Sequence, residues 1–253
     1  MNLDTEISLA KSLSTYDIKL IKYLPFLLQD IWELGTNPTD IIQLIKSLQK
    51  NNKELKVLDL ACGKGATSIQ LAKILHCSVK GIDIFDKFID EAKQKSKEWK
   101  VENLCEFQCA DINKAIKKEK KYDIVVLGAA GCILGDQKAT VKKLKKTIKK
   151  DGFIIISDSY SGRSKIKGNV GYEEWRKIFT KAKLKLINEK IPDDNYLKEK
   201  NDEKYSLIEK RANELKEEYP DSAMLFQEYL ESQREANDDL QFRLQSIVWI
   251  LKK

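Results

Sequence analysis

Residues 57–65 read Val-Leu-Asp-Leu-Ala-Cys-Gly-Lys-Gly, and this stretch decides the fold. Its apolar first half predicts a buried strand that ends near Leu60, and its two glycines predict a tight turn into a helix over 66–75. Glycines at the carboxyl end of a central strand let the backbone approach a ligand closely. The stretch therefore predicts a ligand-binding loop at the crevice of an open α/β sheet.

The rest of the chain repeats this alternation of short apolar runs with amphipathic segments. Runs such as Ile-Val-Val-Leu at 124–127 are apolar at every position, which is typical of parallel strands buried on both faces. Strict strand–helix alternation predicts right-handed crossovers, and hence an α/β fold with a doubly wound, mostly parallel sheet. Predicted strands cover 56–60, 78–83, 104–109, 122–127 and 152–158, with predicted helices over 66–75, 85–99, 112–118 and 137–149 between them.

An acidic segment interrupts this pattern late in the chain. The whole chain carries a net charge of +7, yet residues 193–239 hold 15 acidic and 7 basic residues. We therefore expect an acidic helical insertion, or cap, over 193–240, between a helix–strand pair (172–181 and 183–189) and a last strand over 242–251. A uniformly basic nucleic-acid binder would not carry such a block.

The N-terminal residues 1–50 predict a helical lid, in which Pro25 breaks or kinks a helix over 16–34. Residues 1–253 thus form a single predicted domain, whose core covers 54–192 and 241–253. We expect the lid and the acidic insertion to roof the ligand site together.

Acidic residues mark the ends of the first three predicted strands. Asp59 lies in the first, Asp83 ends the second 24 residues later, and Asp111 follows the third. Because the carboxyl ends of parallel strands meet at one edge of a sheet, these carboxylates are expected at one rim. A carboxylate after the second strand can accept hydrogen bonds from both hydroxyls of a ribose.

These motifs, in this order over residues 56–158, resemble the class I S-adenosylmethionine-dependent methyltransferases. The resemblance implies the sheet order 3-2-1-4-5-7-6, with an antiparallel last strand. It also implies the cofactor contacts: Asp59, Ala61, Gly63 and Gly65 at the methionine part, Asp83 at the ribose, Ile84, Asp111 and Ile112 at the adenine, and Gly128 and Ala129 beside the sulfonium. Ala61 departs from the glycine more common in the family, and alanine costs little unless the position needs a positive φ.

The N-terminal segment supplies further candidates. Trp32 is a candidate cofactor contact, because an aromatic ring near a sulfonium gains cation–π attraction. Tyr16 and Glu33 are candidate substrate contacts beside it. No residue stands out as the catalytic group, and the weak candidates are Glu33 together with Asp158 and Tyr160 after the fifth strand. The lone histidine, His76, is expected to face solvent at a helix end.

The cysteines give no metal-site prediction. Cys105 and Cys109 lie on one predicted strand about 13 Å apart, too far to share a metal, and are expected in the core with Phe107. A thiol pair of Cys62 and Cys132 for a metalloid substrate stays open. Five cysteines at scattered spacings fit a reducing cytoplasm, and no apolar run reaches the roughly 18 residues of a membrane span.

The expected function is an S-adenosyl-L-methionine-dependent methyl transfer to a small-molecule acceptor by in-line displacement, with S-adenosyl-L-homocysteine as product.

The fourth strand is not followed by the Asn/Asp-Pro-Pro-aromatic signature of nucleobase and amide methylation. The lysine-rich segment 138–150 keeps RNA methylation open, although nucleic acid is not the expected partner. A catalytically inactive binding scaffold is a second alternative. A nicotinamide-dependent oxidoreductase is disfavoured, because Ser68 occupies its third glycine position. The sequence fixes neither the acceptor nor an oligomeric state.

Overall fold

The computed structural model describes residues 3–15, 17–48, 54–162 and 170–253. The predicted contact at Tyr16 and the loop residues 163–169 lie outside the described residues. The strands are β1 (Lys56–Leu60), β2 (Ser78–Asp83), β3 (Cys105–Cys109), β4 (Tyr122–Gly128), β5 (Ile148–Ser161), β6 (Lys185–Lys190) and β7 (Leu244–Lys252). The helices are α1 (Leu3–Ser12), α2 (Leu24–Leu27), α3 (Pro38–Lys46), α4 (Ala66–Leu75), α5 (Asp86–Glu98), α6 (Ile112–Ala115), α7 (Gln137–Lys145), α8 (Tyr172–Lys181), α9 (Asp194–Glu218) and α10 (Ala223–Asp238).

Seven strands pair into a sheet of order β3-β2-β1-β4-β5-β7-β6. Strand β1 pairs in parallel with β2 and β4, and β7 runs antiparallel to β5 and β6. The register sets Asp59 beside Gly81 of β2 and Val126 of β4. The observed strand order and directions confirm the predicted fold class. Because β1 to β4 are parallel, their carboxyl ends lie at one edge of the sheet.

Each face of the sheet is covered by an apolar layer. Along β1, Val57 contributes to the cluster beneath α3 and α4, while Leu58 and Leu60 contribute to the cluster on the opposite face. Trp175 of α8 and Trp249 of β7 pack in that second cluster with ring centroids 4.9 Å apart. Burial on both faces is why these strands read as continuous apolar runs.

A third apolar cluster lies above the carboxyl edge of the sheet and joins distant parts of the chain. Helices α9 and α10, which lie between β6 and β7, contribute Ile208, Phe226 and Tyr229. The N-terminal segment contributes Leu20 and Leu24, among others, and Phe85 and Phe88 enter from α5 and the residue before it. The insertion and the N-terminal segment therefore share one core.

Several predicted boundaries are wrong, most clearly in the N-terminal segment. Pro25 does not kink a helix over 16–34, because it occupies the first turn of the short α2, where a missing N–H costs nothing. A 3₁₀ helix, Ile18–Tyr23, precedes it, and α1 was not predicted. Near the other end of the chain, Phe242 lies in a π-helical turn, Asp239–Arg243, so β7 begins two residues later.

Other elements differ in length. Helix α6 ends at Ala115, and β6 begins at Lys185, because Lys183 has a left-handed φ of 53°. Strand β5 extends beyond the predicted 152–158 at both ends. Among the described residues, the structure contains no helix long and apolar enough to cross a membrane.

Candidate active site

A cavity of about 470 Å³ lies at the carboxyl ends of β1, β2 and β4. Its floor includes Asp59, Asp83 and Asp158 from the strand ends, and its walls and roof come from the N-terminal segment, α9 and α10. This volume is within the ordinary range for small-molecule sites, which is about 300–1,000 Å³.

The loop after β1 forms part of the cavity wall, and two of its residues have left-handed backbone conformations. Gly63 has a φ of 53°, and a Cβ there would lie 3.0 Å from Cδ1 of Leu34. Ala61 also has a positive φ, 56°. The position therefore meets the exception stated above, and the departure from glycine is not a minor one, since a left-handed non-glycine residue costs about 1–2 kcal/mol.

Asp83 is fixed by the same loop. Its Oδ2 accepts a hydrogen bond of 2.8 Å from the backbone N–H of Gly63, and its Oδ1 accepts one of 3.1 Å from Phe85. Burial raises the pKa of this carboxyl. Because each carboxylate oxygen has further acceptor capacity, Asp83 presents a rigid acceptor to the cavity, as a ribose contact requires.

Asp59 also lines the cavity, but its carboxylate has a protein partner. Oδ2 accepts a 2.6 Å hydrogen bond from the hydroxyl of Ser68 at the start of α4. Burial, together with the nearby charge of Asp83, raises the pKa of Asp59 to about 7. Its hydrogen bond to α4 holds the glycine loop against the helix that follows it.

Gly65, by contrast, does not line the cavity. It has a φ of 75°, and a Cβ there would lie 2.9 Å from Cβ of Ala92 and from the ring of Phe107. Gly65 therefore serves the turn and the close packing of α4 on the neighbouring elements.

The rim at β3 is covered by the N-terminal helix. Asp111 caps α6 by accepting from the N–H of Asn113 at 2.8 Å, and its other oxygen lies 3.5 Å from the hydroxyl of Thr5 in α1. Ile84 and Ile112 also line the cavity and supply its apolar surface here.

Lys64, which the sequence reasoning did not single out, anchors the N-terminal segment to the glycine loop. Its side chain is 1% exposed, and its Nζ donates to the carbonyl oxygens of Leu28 and Gln29 at 2.9 and 2.8 Å. The same nitrogen pairs with Glu91 of α5 at 2.9 Å. The available signal was a lysine placed between two glycines of a buried turn.

Trp32 is held by the same anchor. Its indole Nε1 donates to the carbonyl oxygen of Lys64 at 3.1 Å, and its ring packs on Trp99 with centroids 5.2 Å apart. Trp32 lines the cavity, so its indole is fixed in the cavity wall.

The turn after β4 makes close contact with residues 34–36. A Cβ on Gly128 would lie 2.8 Å from Oγ1 of Thr36, and a Cβ on Gly35 would lie 2.8 Å from Cβ of Ala129. Oγ1 of Thr36 is buried and has no hydrogen-bond partner among the described residues. Since buried hydroxyls ordinarily have partners, this orphaned group beside the cavity fits a bound ligand.

The three weak catalytic candidates separate in space. Asp158 and Tyr160 lie within β5, which continues to Ser161, so the prediction that they follow this strand is wrong. Asp158 lines the cavity, and burial raises its pKa to about 6. Glu33 does not line it and accepts a 2.8 Å hydrogen bond from Gln70. Tyr160 is also outside it and packs on Tyr172, with ring centroids 5.4 Å apart.

The cysteines and the histidine lie apart from one another. Cys62 lines the main cavity, whereas Cys132 is exposed and lines a separate small cavity, so these two thiols do not face one pocket. The expectation that Cys109 is in the core is wrong, because β3 is an edge strand and this residue is exposed. His76 is exposed at the end of α4, as expected.

The roof presents one face of each insertion helix to the cavity. In each helix, the lining residues follow the first one by four, seven, eight and eleven positions, which places them along one side of the helix. They are Leu197, Asn201, Lys204, Tyr205 and Ile208 from α9, followed by Tyr229, Gln233, Ala236, Asn237 and, just beyond α10, Leu240.

Residues 51–219, more than half of the chain, match the sequence profile of a family described as a methyltransferase domain. The chain belongs to this methyltransferase family. It is 40% identical over 124 residues to the ribosomal protein L11 methyltransferase of Dictyoglomus turgidum, a match that covers 49% of the chain and 39% of that relative. It is 29% identical over 147 residues to the malonyl-[acyl-carrier protein] O-methyltransferase of Priestia megaterium, covering 57% of the chain and 49% of that relative. The chain thus spans less than half the length of these curated relatives.

The fold of this methyltransferase domain is similar to a solved structure over nearly its whole length. The SAM-dependent methyltransferase from Thiobacillus denitrificans, in complex with S-adenosyl-L-homocysteine, matches with a TM-score of 0.75 and 18% identity, covering 90% of this chain and 96% of that one. With the family match, this confirms the predicted class I resemblance and supports S-adenosyl-L-methionine as the cofactor. The fixed acceptor Asp83, the apolar Ile84 and Ile112 and the unpartnered Thr36 hydroxyl fit such a group.

The raised pKa of Asp158 predicts a pH effect on the stability of the methyltransferase domain. Its pKa of about 6 lies above the ordinary value for an aspartate, about 3.9, so the folded protein binds this proton more tightly than the unfolded chain. The contribution of Asp158 to the free energy of unfolding therefore falls as pH rises from about 4 to about 6. We expect a shallower fall in Asp158→Asn and an unchanged one in Asp151→Asn, an exposed position on the same strand. Urea unfolding across this pH range measures the free energy of unfolding of the wild type and both variants. If it falls as much in Asp158→Asn as in the wild type, Asp158 does not titrate between about pH 4 and 6.

Proposed function

We propose that this methyltransferase domain transfers a methyl group from S-adenosyl-L-methionine to a small-molecule acceptor inside the roofed cavity. The observation that carries the proposal is the roof: α1, α9 and α10 line the cavity on the side away from the sheet. A small acceptor fits under such a roof, whereas a macromolecule would require it to move. The sulfonium of the bound cofactor supplies an electrophilic methyl group.

The chain's own residues then orient the reactants and exclude water. Asp83 holds the ribose hydroxyls, and Trp32 and the turn at Gly128 form the wall beside the reacting centre. Asp158 lies on the floor of the cavity and can take a proton from a hydroxyl or thiol acceptor, because its pKa of about 6 leaves it ionised near neutral pH.

The lysine-rich helix α7 does not favour the RNA alternative. None of its residues lines the cavity in the described part of the chain. Lys143 donates to Asn113 and to the carbonyl oxygen of Leu134, and Lys145 donates to the carbonyl oxygen of Ala182. These lysines therefore stabilise the fold away from the candidate site.

Thermal unfolding with added ligands tests the proposal and separates it from a scaffold that binds no cofactor. S-adenosyl-L-methionine or S-adenosyl-L-homocysteine at about 100 times its dissociation constant stabilises by roughly 2.7 kcal/mol. The midpoint of the wild type should rise by about 5–10 °C, and NAD should cause no rise. Asp83→Ala should lose most of the rise, whereas Asp86→Ala, an exposed position nearby, should keep it. No rise in the wild type would contradict the proposed function, and a full rise in Asp83→Ala would contradict the ribose contact.

A further inference from the structure

The roof brings an unpaired cation into the cavity, the side chain of Lys204 on α9. Among the described residues, the cationic side chains that line the cavity are Lys64 and Lys204. Lys64 is fully engaged by two carbonyl oxygens and Glu91. Lys204 has no carboxylate within 4.0 Å in the described part of the chain, and its Nζ lies 3.5 Å from the carbonyl oxygens of Leu34 and Gly35. These contacts are too long to be strong hydrogen bonds.

The surroundings of Lys204 favour an anionic partner. Burial lowers the pKa of this amine, and only the more distant charges of Glu33 and Glu203 oppose that effect. A half-buried ammonium group with weak partners is costly, and a bound anion would remove that cost.

Two carboxamides lie on the same roof surface. Asn201 is three residues before Lys204 on α9, and Asn237 lines the cavity from α10. Neither side chain has a hydrogen-bond partner among the described residues, and each amide nitrogen donates two hydrogen bonds. One ammonium and two amides supply the donors that a carboxylate accepts.

The cavity is lined by acids from the strands, Asp83, Asp111 and Asp158, and by the cation Lys204 from the roof. Asp83 and Asp111 lie where β2 and β3 end, whereas Lys204 reaches the backbone at Leu34 and Gly35. Gly35 in turn contacts Ala129 at the end of β4. A ligand that places a ribose at Asp83 can therefore extend through the cavity to Lys204, which lines it as well.

We propose that Lys204, Asn201 and Asn237 form a carboxylate-binding subsite under the roof, an inference that rests on the proposed function for what fills the rest of the cavity. The carboxylate has two sources with the same chemistry. It belongs either to the amino-acid end of the cofactor or to a methyl acceptor bound beside it.

The test compares Lys204→Met with Lys200→Met. Lys200 lies one turn earlier on α9, its side chain is 42% exposed, and it pairs with Glu203 outside the cavity, so it is a matched control. Titration calorimetry measures the affinity for S-adenosyl-L-homocysteine and for 5′-methylthioadenosine, which lacks the amino-acid end. The same method compares propionate with propionamide, and benzoate with benzamide, on the free protein and on the S-adenosyl-L-homocysteine complex.

A cofactor carboxylate at Lys204 predicts that Lys204→Met loses at least about tenfold in affinity for S-adenosyl-L-homocysteine and nothing for 5′-methylthioadenosine. If the carboxylate belongs to an acceptor, Lys204→Met should bind S-adenosyl-L-homocysteine as the wild type does. The wild type should then prefer propionate or benzoate over the matching amide by at least about tenfold, and Lys204→Met should lose that preference. Lys204→Arg should retain binding in either case, because it keeps the charge.

The subsite is overturned if Lys204→Met alters neither the affinity for S-adenosyl-L-homocysteine nor the carboxylate preference. A wild type that binds no S-adenosyl-L-homocysteine contradicts the proposed function instead. In that case, the comparison of carboxylates with amides on the free protein still tests whether Lys204 binds a carboxylate. Unfolding midpoints within about 2 °C of the wild type would show that the variants fold, as expected for an exposed substitution and for the loss of two weak contacts.

Discussion

Replacing Phe226 with alanine is expected to lower the free energy of unfolding by about 3–5 kcal/mol. Phe226 is 0% exposed, and its ring meets that of Tyr23 edge-on with centroids 4.9 Å apart. It belongs to the apolar cluster that joins α10 to the N-terminal segment. Truncation would leave a cavity between these two parts of the roof, which cannot collapse without moving both. The thermal midpoint should fall by about 6–20 °C, at roughly 2–4 °C per kcal/mol for a chain of this size.

Met224→Ala is the matched control for Phe226→Ala. Met224 lies on the same helix and is 69% exposed, so its truncation should change the free energy of unfolding by no more than about 0.5 kcal/mol. Urea unfolding of the two variants beside the wild type measures the difference. A loss below about 1 kcal/mol in Phe226→Ala would mean that α10 is not docked as described.

Replacing Lys64 with methionine is expected to lower the free energy of unfolding by about 2–4 kcal/mol. The change removes the Lys64 donor from the carbonyls of Leu28 and Gln29, and it removes the partner of Glu91. The Leu28 carbonyl keeps the backbone N–H of Ile31 as a donor, at 3.1 Å. The lower part of the range allows for Glu91, whose side chain is 31% exposed and so regains some hydration. The methionine stem keeps most of the apolar contact that Lys64 makes.

A second readout locates the effect of Lys64→Met. Limited proteolysis should cleave the variant faster within residues 17–37, because the anchor of that segment is lost. Lys87→Met, an exposed position on the same helix as Glu91, should match the wild type in both measurements. Wild-type stability in Lys64→Met would show that the three contacts of Lys64 contribute no net stability.

The sheet was predictable because its signals are local and repeated. Each strand from β1 to β5 is a short segment followed by a helix. In β1, β4 and β5, burial on both faces leaves apolar runs that are easily recognised, whereas the edge strand β3 is mostly exposed. The acids Asp59, Asp83 and Asp111 were predictable as a rim, because parallel strands end at one edge.

The site above that rim was predictable only in part. Lys64 reads as a loop lysine in the sequence, and its burial depends on carbonyl groups of residues 28 and 29, more than 30 positions earlier. Lys204 reads as one of many charges on an acidic helix, and only the docking of α9 places it over the cavity. Glu33 and Tyr160 were selected by their proximity to strand ends or to the lid, but proximity in sequence does not determine which way a side chain points.

The shared core of the roof bears on how this protein's selectivity could change over evolutionary time. Helices α9 and α10 leave the sheet after β6 and return at β7, which pair directly, so an exchange of the insertion leaves the strand register intact. Their apolar faces, however, interlock with Leu20 and Leu24 of the N-terminal segment. Two stretches that lie far apart in the sequence are therefore expected to change together. A swap of either one alone, between relatives with different acceptors, would produce a mismatched interior.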